Sequence, residues 1–168
     1  GFGKVADIFT ASELPVAAVA LAAMGAIMVV CDNLKALMVV HGIVMVGFIL
    51  MGASTAAYQA NMLSPIAWMI TVGAGLYMAY TPFNAILFDR LVAVSGQVAT
   101  AGFLIYVADS SGYLGSVALV LWRNFGETQL NWLQFFIQAA YATSLIGTVL
   151  VAGSALYFAP RRKAHTLA

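Results

Sequence analysis

Five long apolar runs, separated by short polar breaks, leave this chain little choice of fold. Leu14 to Cys31 holds 18 residues without a charge. Residues 36–58, 65–88 and 132–159 are equally free of Asp, Glu, Lys and Arg, and 98–122 carries only Asp109. A helix rises about 1.5 Å per residue and a bilayer core is about 30 Å thick, so about 20 apolar residues suffice to cross it. In hydrocarbon each backbone polar group must find its partner within the segment, which selects helices. The expected fold is all-α: a polytopic transmembrane helix bundle of about five spans (14–31, 36–58, 65–88, 98–122 and 132–159), forming a single transmembrane domain over 1–168. Composition agrees, because only 8% of residues are charged and 63% are hydrophobic. A soluble domain carries about 25% charged residues. The lipid bilayer is thus the first partner the sequence implies.

Local signals set the span boundaries. Residues 1–13 are mixed and read as interfacial, with Ser12 as N-cap and Pro15 in the first turn, where a missing N–H costs little. Asp7 and Glu13 precede the first run as well as Lys4, so it reads as a span and not as a signal peptide. "DNLK" (32–35) is short enough only for a tight hairpin, and Ser64-Pro65 opens the third span with cap then proline. That span is expected to stop at Asp89-Arg90, with a kink where Pro82 leaves the Met78 carbonyl without its helical donor. Splitting the fourth stretch at Asp109 leaves 113–122, about 15 Å as a helix and too short to cross. One span from about Val98 to Trp122 fits better, with Asp109 near the midplane. Pro160 is expected to end the last span. Five spans place the termini on opposite sides. Lys35, Arg90, Arg161, Arg162 and Lys163 collect on one side, Lys4 and Arg123 on the other. The positive-inside rule makes the N-terminus external and the C-terminus cytoplasmic.

Chemistry centres on "YVADSSGYLGS" (106–116). A carboxylate at the bilayer centre costs about 2.5–3.5 kcal/mol on insertion scales, so such groups face a bundle interior or a cavity and mark solute or proton paths. A buried structural acid is the plainer alternative, and an unwound break over 109–112 is a third. Tyr106, Asp109, Ser110 and Tyr113 recur at helical spacings and share a face, whereas Ala108, Gly112 and Ser116 form a small-residue row on another. In the last span Gln134, Gln138, Tyr141, Ser144 and Thr148 form a second polar stripe, suited either to line a path or to bond between helices. The substrate or proton path is assigned to Asp109, Tyr106, Ser110, Tyr113, Gln138 and Tyr141. "YTPFNAILFDR" (80–90) supplies a gate or kink from Pro82, Asn84, Asp89 and Arg90, the last two as an ion pair latching one state.

Other functions lack residues to carry them. A net charge of +1 without an aromatic-interleaved basic patch gives no nucleic-acid partner. Cys31 is the single cysteine, and His41 the single histidine within a span, so neither a metal nor another cofactor is expected. His41 reads as a hydrogen-bonded or interfacial residue. No nucleophile–base pair, phosphate loop, CxxC or HExxH motif is present, and the chain is not read as an enzyme.

The layout resembles the C-terminal half of a transporter of the major facilitator superfamily. "DNLK" occupies the place of that family's short cytoplasmic link, matching it at Asp32 and Lys35 without the glycine-rich lead or arginine pair. "YTPFNAILFDR" and "GFLIYVADSSGYLGS" are similar to stretches of uncharacterised bacterial facilitator-like proteins. The resemblance implies a fragment of a secondary transporter in the bacterial inner membrane, moving a small polar solute by alternating access, with proton coupling through Asp109. Its partner would be a missing N-terminal half or another subunit. The alternative is a non-transporting integral membrane subunit or assembly protein that packs against a partner.

Overall fold

The computed structural model describes residues 2–96, 98–126 and 131–165, with side chains between 13 and 159. Among them every element is helical: α1 (Phe2–Met28), α2 (Asn33–Gln59), α3 (Pro65–Pro82), a π-helical segment (Phe83–Leu87), α4 (Phe88–Ser95), α5 (Ala101–Phe125) and α6 (Trp132–His165). α3, the π segment and α4 run on as one helical stretch, Pro65–Ser95. By length and composition that stretch, α2, α5 and Trp132–Ala159 of α6 can each cross a membrane. The first helix adds a shorter apolar part, Glu13–Met28. The protein is therefore a multi-pass helical bundle of the kind a bilayer requires.

Capping side chains start the helices. Asp32 accepts from the Lys35 N–H at 2.7 Å, Ser64 from Ala67 at 3.3 Å, Thr100 from Phe103 at 3.4 Å and Asn131 from Gln134 at 2.8 Å. Each satisfies a donor that the first helical turn leaves free. α2 ends on Asn61 in the left-handed region (φ 58°), with the Met62 N–H returning to the Ala57 carbonyl at 2.9 Å, a Schellman closure.

Several boundaries differ from the sequence reading. α1 passes through Ser12 and Pro15 instead of beginning there. The third stretch continues beyond Asp89-Arg90 to Ser95, where Gly96 takes the left-handed cap (φ 64°) that stops it. Two charges at a membrane boundary end the apolar run but not the helix, because Asp and Arg do not break hydrogen bonding. α5 starts at Ala101, three residues after Val98, so Asp109 lies about 12 Å along it. Residues 109–112 are helical, so neither a break nor a loop interrupts α5. α6 continues through Pro160 to His165.

α2 is the central helix. Leu37, His41, Val44, Met51 and Thr55 are buried along one stripe, and Ala36, Val40, Gly47 and Ser54 extend the burial round the cylinder. It packs against α3 on one side and α6 on the other, and α1 lies on α3. Where α2 and α3 cross, Gly47 and Gly75 bring the backbones together: a Cβ on Gly47 would sit 2.5 Å from the Gly75 carbonyl oxygen. Close approach at small residues is how helices associate when lipid removes the hydrophobic drive. Two apolar clusters flank this crossing, one around Ile27, Val40, Val44 and Ala79, the other around Met51, Trp68, Val72 and Ala140. α5 has no buried residue. It meets α4 near its start, and at its end Arg123 lies 4.7 Å over the Trp132 ring of α6.

Candidate functional site

Pro82 has no N–H to continue the ladder, and directly after it the helix widens into the π segment Phe83–Leu87. A π turn inserts an extra residue per turn and occurs often at functional sites. Here it faces the middle of α5. Tyr80, Phe83 and Asn84 on this side, and Ala108, Asp109, Gly112, Tyr113 and Ser116 on the other, line one cleft of about 390 Å³. Two constellations that the sequence presents as separate, the proline stretch and the intramembrane acid, form one site.

The polar groups of the cleft are open to a ligand. Asp109 and Asn84 are half-buried, and Tyr80 and Tyr113 are 60% and 74% exposed. Ser116 spends its hydroxyl on the Gly112 carbonyl at 2.9 Å. Among the described residues, no hydrogen-bond partner holds the Asp109 carboxylate or the Asn84 amide. The lining straddles the polar and small-residue rows, because positions 109, 112, 113 and 116 share a face. Small residues at 108, 112 and 116 hold the cleft open; a Cβ added at Gly112 meets nothing within 4 Å.

The other expected path residues lie elsewhere. Tyr106, 76% exposed, and Ser110 are on α5 but outside the cleft lining. Gln138 is exposed on α6. Tyr141 donates to Gln59 Oε1 at 2.7 Å, and Ser144 donates to the Phe48 carbonyl at 2.7 Å. Tyr141 and Ser144 thus bond between α6 and α2, as one of the two readings of the stripe expects of them. The gate residues divide as well: Asn84 joins the cleft, whereas Arg90 donates to Asn33 Oδ1 on α2. The contact that latches α4 is thus Arg90–Asn33 and not Asp89–Arg90, since adjacent helical residues point apart.

Tyr80 and Phe83 were not singled out by sequence, although their spacings of four and one from Asn84 place Tyr80 on its face. His41 is buried on α2. Its Nδ1 lies 2.7 Å from the Leu37 carbonyl, which only accepts, so Nδ1 carries hydrogen; Nε2 lies 2.8 Å from Ser154 Oγ and accepts from it in the neutral ring. The hydrogen-bonded reading of His41 matches this geometry, and nothing in the sequence points to Ser154, 113 positions away. No group of three or more potential metal ligands occurs among the described residues.

Residues 1–161 match DUF5690, a family of unknown function, and the chain belongs to that family. No curated protein and no solved structure matches it.

Proposed function

We propose that this DUF5690 member is a transport protein of the bacterial inner membrane, and that the cleft between the π segment and α5 contacts a small polar solute, or the proton that accompanies it. One observation carries the reading: an acid and an amide on apolar helices face a common cleft with their hydrogen-bonding capacity unspent. Polar groups at membrane depth are costly without a partner, and a solute or proton supplies one. The π segment is a natural flexing point for alternating access, because its hydrogen bonding differs from the helix on either side. With the C-terminus cytoplasmic, as the charge bias of the loops implies, the cleft lies in the cytoplasmic half of the spans. A further transport half or a partner subunit would cover α5.

The test is uptake of a panel of small polar solutes into cells or proteoliposomes carrying the protein in its natural full-length form. Asp109→Asn is expected to abolish uptake while membrane insertion stays intact. Unchanged uptake and unchanged pH dependence would remove Asp109 from the path.

A second reading is a non-transporting subunit or assembly protein, favoured by the absence of any buried residue on α5. Under it, leucine at positions 108, 112 and 116 breaks a membrane complex, and Asp109→Asn changes little.

A further inference from the structure

The composition of the cleft narrows the solute class, an inference that rests on reading the cleft as a solute site. We propose that it recognises a small organic cation of the ammonium type.

Among the described residues Asp109 is the one Asp, Glu, Lys, Arg or His of the lining, and the charge a carboxyl group can bring is negative. Among the described residues no basic side chain offsets it: Arg90 is engaged with Asn33, Arg123 lies over Trp132, and Lys35 sits in the first turn of α2, beside its Asp32 cap. An anionic solute would therefore meet an uncompensated like charge, and a neutral one would leave the carboxylate without a counter-charge. An ammonium group supplies both charge and donors to a carboxylate that has lone pairs free. The remaining lining suits the same chemistry. Tyr80 and Tyr113 bring two aromatic rings to the cleft, and the negative face of such a ring attracts a cation within about 6 Å. The Asn84 side chain carries an oxygen that accepts a further N–H. Of the rest of the lining, Phe83, Ala108 and Gly112 fit alkyl substituents, and Ser116 keeps its hydroxyl on the Gly112 carbonyl.

The experiment measures binding of methylammonium and tetramethylammonium chloride to the full chain in lipid nanodiscs by titration calorimetry, with sodium acetate and glycerol as controls. Both cations are expected to bind and both controls to fail. Asp109→Asn weakens the cations by about tenfold or more, because a charge-assisted contact is lost. Tyr113→Leu weakens them by about three- to tenfold, whereas Tyr113→Phe, which keeps the ring, leaves affinity near that of the parent. Because Tyr113 is largely exposed, these substitutions leave the fold unburdened, and an unchanged melting temperature verifies it. Equal binding by Asp109→Asn, or binding of acetate in preference to the cations, overturns the proposal. Loss of solute uptake in Asp109→Asn with no cation binding overturns the cation class alone and leaves the transport reading standing. Cation binding without any transported solute overturns the transport reading and leaves the cation site standing.

Discussion

Small residues lie on the facing sides of two helix pairs in this protein, and only one pair closes on them. At the α2–α3 crossing, Gly47 and Gly75 let the backbones touch, and a Cβ on Gly75 would lie 2.6 Å from the Gly47 carbonyl oxygen. Across the cleft between the π segment and α5, Gly112 and its row face open space. The first pair is a seam and the second is a room. Small residues spaced by four indicate that something approaches closely. Whether it is a backbone or, in the proposed reading, a solute depends on whether the facing helix also offers small residues or offers Tyr80, Phe83 and Asn84.

The contrast breaks most readily by enlarging one glycine on each side. Gly75→Leu drives a side chain into backbone that has no room to yield. It is expected to cost about 3 kcal/mol or more, the top of the usual range for overpacking, and to abolish a cooperative melt in detergent. Gly112→Leu is expected to shift that melt little. Equal losses from both would show α5 to be packed as tightly as α3, and the cleft would not be a cleft.

The same α5 substitutions sharpen the functional half of the contrast. Gly112→Leu and Ser116→Leu fill the space beside Asp109. In the transport reading they reduce solute uptake by about tenfold or more, comparable to losing a transition-specific contact worth about 1.4 kcal/mol, while the protein melts normally. Retained uptake with a filled cleft would place the path elsewhere.

On the packed side, Trp68 tests what holds the seam besides small residues. Its ring stacks on Tyr58 at 4.2 Å, meets Phe136 edge-on at 5.5 Å, and its Nε1–H donates to Thr55 Oγ1 at 3.2 Å. Trp68→Phe keeps an aromatic ring, loses that donor and shrinks the stack. Hydrogen bonds between membrane helices average about 0.6 kcal/mol and aromatic pairs about 0.5–1.5 kcal/mol, so a loss of about 1 kcal/mol in the detergent melt is expected. A loss as large as that from Gly75→Leu would make the aromatic cluster, and not the glycine crossing, the chief fastening.

The fold was largely legible in the sequence, because the requirement that lipid places on backbone hydrogen bonds acts on each run separately. Boundaries were less legible where a charge ends an apolar run without ending the helix, as at Asp89-Arg90, or where a proline lies within the helix, as at Pro15 and Pro160. The site was half legible. Asp109 and Asn84 each stood out from their own stretch, but periodicity describes one helix at a time and could not reveal that they line one cleft. Nor could it separate path-lining from packing on α6, where Tyr141 and Ser144 turned out to bond to α2.

The border between the two regions offers the finest test. α4 continues the π segment that walls the cleft, and Arg90 ties it to Asn33 at the start of α2. If that contact anchors one end of the π segment to the packed core, the segment is free to flex only on its α5 side. A double-mutant cycle with Arg90→Ala and Asn33→Ala measures the link. The pair is near the surface and only one partner is charged, so a coupling of about 0.5 kcal/mol or less is expected in the melt. Its effect on uptake should exceed its effect on stability, since a freed α4 alters how the π segment moves while leaving the Gly47–Gly75 crossing untouched. Coupling in stability with none in uptake would mean that the π segment does not act as a hinge, and that the cleft works as a fixed receptacle.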